Sequence, residues 1–379
     1  WSGRGPRYLP RAPAGMGEGG LAAFARALPK AELHAHLNGC VRGATLEELA
    51  REAGGALAAA EVRAALAGGR DLRACFALFP LVHRFATRPA ALARLVRESL
   101  ADLAADGVVY AELRTTPKDR PEAGLSKRTY LEAVLRAMEE HNRSGRVGGA
   151  AGGGAHCEGR LIVSVDRREG AEQALATVQL AAELAAETPL VVGVDLSGDP
   201  AVGEWSTWEP ALQLARAKGL PVTLHFAELP GRAAEGRSML AFAPERLGHA
   251  VRVDPALERE LLATRIPVEV CLTSNLKTQS VRALSEHVCE RLLRASHPVA
   301  LCTDDSGVFD TTLSAEFLLA ADAFGLSRRA LFEVSLCALE HAFLPEGELK
   351  ESLRKHFSEA AVRLGVAAPG GGARSAGRI

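Results

Sequence analysis

The chain has 379 residues, of which 45 are Lys or Arg and 46 are Asp or Glu, so its formal net charge is −1. Apolar residues make up 47 % and charged residues 24 %, as in ordinary globular proteins. These values exclude a collagen-like, coiled-coil or wholly disordered chain. They also argue against a nucleic-acid-binding protein, because phosphate backbones are recognised by concentrated positive charge.

Cysteine usage and the absence of targeting segments indicate the compartment. The seven cysteines are scattered and none forms a CxxC pair, so neither a zinc ribbon nor a disulfide framework is indicated. The N-terminal segment is rich in Gly, Pro and Arg and lacks the apolar core of a signal peptide. The chain contains no uncharged apolar run long enough for a membrane span. We therefore expect a cytosolic (cytoplasmic) protein without a membrane partner.

The chain is predicted to form one folded domain over 21–365, with flexible segments at 1–20 and 366–379. A glycine-rich stretch at 145–154 is predicted to be a mobile loop. Within the domain, short apolar or β-branched runs alternate with longer Ala/Leu/Glu/Arg runs, which is typical of a parallel sheet with crossover helices. The first gap, about 45–106, is long enough for several helices and is predicted to be a helical insert after strand 1.

Eight such strands predict a closed (β/α)₈ TIM barrel of the α/β class. An open sheet that binds a dinucleotide would carry a glycine fingerprint after its first strand, and none is present there. The predicted strands are Ala31–Leu37, Val108–Arg114, Leu161–Val165, Leu190–Leu196, Pro221–Phe226, Arg246–His249, Ile266–Leu272 and Pro298–Thr303.

Polar residues follow every predicted strand. Because the active site of a barrel forms at the C-terminal ends of its strands, this pattern predicts an enzyme with its site at that rim. In chain order the strand ends carry His34, His36 and Asn38; Glu112 to Lys118; Asp166; Asp195 to Asp199; His225 and Glu228; His249; Thr273 to Asn275; and Asp304 with Asp305.

Four of these residues form a candidate metal site. His34 and His36 are two apart on a strand, so both side chains lie on one face. Alone, the pair could be two ordinary polar histidines. With His225 and Asp304 they provide three nitrogens and one oxygen, a set that suits one Zn²⁺ with an open position for water.

With these residues assembled, the sequence resembles the adenosine deaminase family of zinc amidohydrolases. The resemblance covers residues from about 30 to 345. Within the family, the sequence is most similar to the adenosine deaminase-like branch, as three stretches indicate: 112–118, 164–168 and 271–275. The family motifs, in family order, are His34-Ala-His36-Leu-Asn-Gly39, Asp195-Leu-Ser-Gly198-Asp-Pro200, Leu224-His225-Phe-Ala-Glu228, Arg246-Leu-Gly-His249, Thr273-Ser-Asn275 and Thr303-Asp304-Asp305.

The resemblance implies a barrel of the metal-dependent hydrolase type and hydrolytic deamination at purine C6. In this chain Glu228 would protonate N1, His249 would orient the attacking hydroxide, and Asp305 would accept a hydrogen bond at N7. The Gly198 N–H would contact N3. The substrate-contacting set comprises His36, Asn38, His83, Thr115, Thr116, Pro117, Lys118, Asp166, Gly198 and Asp305.

Asn38 bears on the substrate. Adenosine deaminases proper carry Asp at this place, and that carboxylate would repel a 5′-phosphate at close range. The hydroxyls of Thr115 and Thr116 and the ammonium of Lys118 suit a phosphate. The resemblance therefore implies N6-methyl-AMP as substrate, hydrolysed to IMP and methylamine in nucleotide metabolism by a monomer.

Alternatives remain open at this point. The chain could be an adenosine deaminase acting on the free nucleoside, a binuclear hydrolase of the phosphotriesterase type, or an inactive barrel that only binds a ligand. The binuclear class usually has a bridging lysine at the fourth strand end, where this chain has Asp195 to Gly198. Glu228 could also be a solvated loop acid, and Asp304-Asp305 a helix cap. No partners are predicted for the remaining histidines, which are expected at the surface: His141, His156, His287, His297, His341 and His356.

Overall fold

The computed structural model describes most of the chain, including every predicted strand. Among these residues no helix is both long and apolar enough to cross a membrane. Most of the predicted flexible segments lie outside the described residues, which are 18–67, 72–86, 88–121, 124–148 and 155–366.

Eight parallel strands form one sheet in sequential order, and each strand pairs with the next along the chain. The predicted strands are confirmed, with ends that shift by three residues or fewer. The largest shift is at the third strand, which begins at Glu158, and the seventh strand ends two residues early at Val270 because a short helix begins at Leu272. The strands are β1 (Lys30–His36), β2 (Val108–Thr115), β3 (Glu158–Asp166), β4 (Val191–Ser197), β5 (Val222–Phe226), β6 (Arg246–His249), β7 (Val268–Val270) and β8 (Val299–Leu301).

Helices surround the sheet, and three of them (α2 to α4) form the predicted insert between β1 and β2. Pro89 begins α4, where its missing N–H costs no hydrogen bond. The helices are α1 (Glu18–Ala27), α2 (Gly43–Ala67), α3 (Leu72–Phe85), α4 (Pro89–Ala105), α5 (Lys127–Gly148), α6 (Ala171–Glu187), α7 (Trp205–Ala217), α8 (Ala233–Phe242), α9 (Pro255–Thr264), α10 (Leu272–Lys277), α11 (Val288–Arg294), α12 (Ser306–Phe309), α13 (Leu313–Phe324), α14 (Arg328–Glu340) and α15 (Glu348–Arg363).

The sheet closes into a barrel through a predicted metal ligand. Asp304, just beyond β8, forms a parallel bridge with Ala35 on β1. Its N–H donates to the His34 carbonyl at 2.8 Å, and its carbonyl accepts from the His36 N–H at 2.8 Å. Closure of the barrel and the position of this carboxylate are therefore set by the same backbone contacts.

Ion pairs fill the barrel interior, where many barrels have layers of branched apolar side chains. Arg246 donates to Glu112 at 2.6 Å and to Glu269 at 2.5 Å. Arg114 donates to Glu269 at 2.8 Å and to Asp195 at 3.3 Å. All five residues are fully buried. Each of these charges has a partner of opposite sign, the condition under which buried charges are tolerated.

Candidate active site

Four histidines and one aspartate converge at the C-terminal rim of the barrel. The side-chain nitrogens of His34, His36 and His225 lie within 4.8 Å of one another, as do the donor atoms of His34, His249 and Asp304. Asp304 Oδ1 is 3.6 Å from His34 Nε2 and 3.4 Å from His36 Nε2. The structure therefore brings together all four predicted metal ligands, with His249 beside them.

These residues fit a metal ion. His34 Nε2 is buried and has no hydrogen-bond partner among the described residues, although Asp304 faces it. The Nε2 atoms of His36 and His225 approach to 3.2 Å. Burying unpaired nitrogen lone pairs against each other is costly, and a cation between them removes that cost. Three imidazoles and a carboxylate are the donor types that zinc prefers.

Two buried carboxylates fix the orientation of two of these histidines. Glu269 Oε2 lies 2.7 Å from His34 Nδ1, and Asp195 Oδ1 lies 3.1 Å from His225 Nδ1. Arg114 and His225 outweigh burial and keep the pKa of Asp195 below its ordinary value. Each ionised carboxylate accepts the Nδ1–H, which leaves the Nε2 lone pair free to bind a metal.

Glu269 is a functional residue that the sequence reasoning missed. It lies in the middle of the three-residue strand β7, four residues before the polar strand end that begins at Thr273. Arg114 and Arg246 outweigh burial and hold its pKa well below the ordinary value for a glutamate. A glutamate between two valines in a predicted buried strand was the available signal, because such a residue must have a buried partner.

Glu228 and His249 flank the metal-ligand cluster. His249 Nε2 is 3.9 Å from Glu228 Oε1 and 4.0 Å from Asp304 Oδ2. Burial raises the pKa of Glu228 above its ordinary value, although His225 opposes the shift. A carboxyl group that holds its proton closer to neutral pH is suited to donating it to a bound substrate.

The Asp305 carboxyl lies beside that of Asp304, with which it shares a side-chain hydrogen bond, and against the loop after β1. A Cβ atom built on Gly39 would lie only 1.6 Å from Asp305 Oδ1 and 2.6 Å from Asp305 Cβ. The position of this carboxylate therefore requires glycine at 39. Burial and the neighbouring Asp304 charge raise the pKa of Asp305 well above its ordinary value.

Replacing Gly39 with alanine is expected to lower the free energy of unfolding by roughly 1–3 kcal/mol, the usual cost of overpacking, and by displacing the Asp305 carboxylate to reduce kcat/KM of the enzyme by about tenfold or more. Steady-state kinetics with circular dichroism as a folding check measures this. Gly170→Ala is the control, because a Cβ there meets nothing within 4 Å. An active Gly39→Ala enzyme with native kinetics would show that Asp305 can relocate freely.

Gly198 and Asp166 are in close contact. Gly198 has a left-handed φ of 101°, and a Cβ there would lie 2.4 Å from Asp166 Oδ1. Only glycine accepts this conformation and this approach without strain. Two predicted substrate contacts, at the ends of β3 and β4, are thereby packed against each other.

A group of cationic side chains surrounds Asp166. Its Oδ1 accepts from the Arg168 backbone N–H and from Arg168 Nε, both at 2.9 Å, and Oδ2 is 4.0 Å from Lys118 Nζ. His83 from the insert faces the same group. Burial, with the charges of Lys118 and Arg168, lowers the pKa of His83 to about 4. We name Lys118 and Arg168, together with the neutral His83 beside them, the cation cluster; Arg168 carried no predicted role.

Four predicted substrate contacts, Asn38 and the residues 115–117, lie around the end of β2. Thr115 Oγ1 is 2.8 Å from the Tyr130 hydroxyl, which donates to Asn38 Oδ1 at 3.1 Å. The Thr115 hydroxyl is therefore already engaged by Tyr130, a residue without a predicted role. Thr116 is partly buried and Pro117 is buried beside it.

Two histidines expected at the surface are fully buried: His287 and His297. His297 Nε2 bonds to the Ile266 carbonyl at 2.6 Å. His287 caps the N-terminus of α11 and accepts from the Cys289 N–H at 3.0 Å. The expectation was wrong because each ring has a backbone hydrogen-bond partner that offsets the cost of burial.

The barrel and its rim of histidines and carboxylates define a hydrolase barrel of the amidohydrolase type. The sequence profile of the adenosine deaminase family matches residues 29–359. The chain belongs to the adenosine deaminase family and is a hydrolytic deaminase.

Its relatives include the N6-mAMP deaminase of Arabidopsis thaliana, which is 43 % identical over 88 % of this chain and 98 % of that protein. The chain is also similar to the structure of an ADAL–IMP complex, with a TM-score of 0.82 and 42 % identity over 90 % of this chain and 99 % of that one. Arabidopsis ADAL complexed with GMP is similar as well, with a TM-score of 0.81 and 42 % identity over 89 % of this chain and 98 % of that one.

Proposed function

We propose that the chain hydrolyses N6-methyl-AMP to IMP and methylamine with one zinc ion per chain. The observation that carries this proposal is the joint presence, at one barrel rim, of a metal-ligand cluster, an uncharged Asn38 and a cation cluster. The first suits deamination, and the other two suit a 5′-phosphate. The relatives support it, since they include a named N6-mAMP deaminase and ADAL structures with IMP and GMP.

His34, His36, His225 and Asp304 would hold the zinc. A zinc ion held there would lower the pKa of a bound water towards about 7 and so would supply a nucleophile at neutral pH. Glu269 and Asp195 keep the Nε2 atoms of His34 and His225 aimed at this position. Ser274 Oγ donates to Asp304 Oδ2 at 2.6 Å and orients that carboxylate.

The other rim residues act on the purine. Glu228 donates a proton to N1, which removes aromatic character and makes C6 electrophilic. His249 Nε2, 3.9 Å from Glu228, orients the attacking oxygen and stabilises the charge that develops on it. Asp305 accepts a hydrogen bond at N7, and the Gly198 N–H contacts N3.

The cation cluster binds the phosphate. Lys118 and Arg168 share one carboxylate, Asp166, so the group retains excess positive charge. Burial, and the nearby Arg168 charge, lower the pKa of Lys118. A phosphate dianion would offset that unfavourable charge and add strong hydrogen bonds to the ammonium. His83 Nδ1, buried without a partner among the described residues, provides a further polar contact.

A substrate panel with metal quantification tests the function. Purified enzyme is assayed with N6-methyl-AMP, AMP, N6-methyladenosine and adenosine while bound zinc is measured. We expect about one zinc per chain and the highest kcat/KM for N6-methyl-AMP. A preference for adenosine would identify a nucleoside deaminase, two zincs per chain would indicate a binuclear hydrolase, and no turnover with zinc bound would indicate an inactive barrel.

Asn38→Asp is expected to raise KM for N6-methyl-AMP by about 100-fold or more, because a carboxylate roughly 6 Å from each unit of phosphate charge costs about 2–3 kcal/mol at an effective dielectric near 20. The aspartate retains the acceptor for the Tyr130 hydroxyl, so packing is conserved. KM for N6-methyladenosine, which lacks the phosphate, is the internal control and should change little. If KM changed equally for both substrates, Asn38 would have no part in the selection of substrates with a phosphate.

A further inference from the structure

Asn275 and His287 are buried polar residues to which the proposed mechanism assigns no role. Asn275 lies on the short helix α10 and is 2 % exposed, and His287 precedes α11 and is fully buried. Both side chains lie behind His249, away from the metal-ligand cluster. They form a continuous hydrogen-bonded series with His249, and its direction can be deduced from one end.

A backbone amide determines that direction. The Cys289 N–H donates to His287 Nδ1 at 3.0 Å, and a backbone N–H can only be a donor. His287 Nδ1 is therefore unprotonated. Burial lowers the pKa of His287 to about 4, so the ring is neutral and its one proton is on Nε2.

The proton on His287 orients Asn275. His287 Nε2 is 3.1 Å from Asn275 Oδ1, and this N–H requires an acceptor, so the amide oxygen must face it. The amide nitrogen then faces His249, where Nδ2 is 3.2 Å from Nδ1. Because Nδ2 carries only donors, His249 Nδ1 must accept. The neutral His249 ring therefore carries its proton on Nε2, the atom that faces Glu228 and Asp304.

His34 and His225 have the opposite arrangement. Their Nδ1 atoms face carboxylates, Glu269 at 2.7 Å and Asp195 at 3.1 Å, which accept hydrogen bonds. Their protons lie on Nδ1 and their Nε2 lone pairs are free. The three imidazoles therefore differ in which nitrogen carries the proton. The group that faces Nδ1 is an acceptor at His34 and His225 and a donor at His249.

We propose that His287 and Asn275 are positioning residues that fix His249 as its Nε2–H tautomer, so that it is a hydrogen-bond donor to the reacting oxygen and not an additional metal ligand. This inference deepens the proposed function and rests on it for the role of the donor. The tautomer itself depends only on the hydrogen-bonded series Cys289–His287–Asn275–His249.

Nitrogen-15 NMR of the zinc-loaded, full-length chain labelled at histidine tests the tautomer directly. The His249 signals are assigned by their loss in a His249→Asn variant. We expect an imine-type Nδ1 and a protonated Nε2 for His249, and the reverse for His34 and His225. A protonated Nδ1 on His249 in the parent enzyme would overturn the proposal. This readout requires no substrate, so it stands even if the substrate assignment fails.

Two substitutions at one position test the effect on catalysis. His287→Leu removes the donor to Asn275, and we expect kcat to fall about ten- to a hundredfold, the range typical of lost outer-shell partners, with KM and zinc content unchanged. His287→Gln restores an amide donor near the Nε2 position and should recover most of kcat. Native kcat in His287→Leu, or equal loss in both variants, would overturn the positioning role. If His287→Leu loses zinc or fails to fold, the kinetic comparison does not apply, and the NMR measurement of the His249 tautomer in the parent enzyme decides the proposal.

Discussion

Glu228→Gln is expected to reduce kcat by about 10²–10⁴-fold, the usual contribution of a general acid, while zinc stays bound. Glutamine has nearly the same shape as glutamate but no proton to transfer to N1. Glu228 does not belong to the predicted ligand set, and its Oε1 lies 3.9 Å from Nε2 of His249, which is also outside that set. The substitution therefore separates proton transfer from metal binding, which steady-state kinetics and metal analysis of the same preparation measure.

Glu260→Gln is the matched control for Glu228→Gln. Glu260 is an exposed residue whose carboxylate accepts from Arg237 at 2.9 Å on the outer surface. The same chemical change at this site should leave kcat unaltered. If Glu228→Gln retained zinc and deaminated as fast as the parent enzyme, the proton donor would have to be another group.

Arg114→Met is expected to lower the free energy of unfolding by about 3–5 kcal/mol, the cost of leaving buried charges without their partner. Arg114 is fully buried and is the residue that connects the two carboxylates behind the metal ligands, with bonds of 2.8 Å to Glu269 and 3.3 Å to Asp195. Because methionine fills much of the same volume, the decrease in the free energy of unfolding is due more to lost charge and hydrogen bonding than to lost packing. Urea denaturation followed by circular dichroism measures it.

Arg128→Met provides the comparison for Arg114→Met. Arg128 pairs with Glu183 on the outer helices, and both side chains are about 40 % exposed. An exposed ion pair contributes about 0–1 kcal/mol, so this variant should unfold almost as the parent does. Equal unfolding free energies for the two variants would mean that the barrel interior tolerates unpaired carboxylates, contrary to the expectation.

Much of the fold and of the candidate site could be predicted from the sequence because both depend on short patterns that recur along the chain. Parallel strands alternate with helices, and each strand ends in polar residues; these features are visible within windows of a few residues. His34 and His36 share a face by strand periodicity alone. For that reason all eight strands were predicted, and the four predicted metal ligands converge in the structure.

The sequence also determined the chemical inventory. The chain has no CxxC pair and carries asparagine at 38, and these facts hold whatever the fold. Its balanced charge argues against polyanionic partners but does not bear on a single phosphate. Two cationic side chains at Asp166, Lys118 and Arg168, are enough to form a local positive group within a chain of net charge −1.

Only the tertiary structure shows which buried polar residues hydrogen-bond to the predicted site residues and orient them. Glu269 meets His34 across 235 positions and Arg114 meets Asp195 across 81, separations at which no sequence window carries a signal. His287 appeared to be an ordinary surface residue until α10 and α11 placed it behind Asn275. Residue type and strand periodicity are local properties of the chain. Which atom donates and which accepts depends on the atoms that face each other at about 3 Å, and the packing of elements distant in sequence sets those contacts.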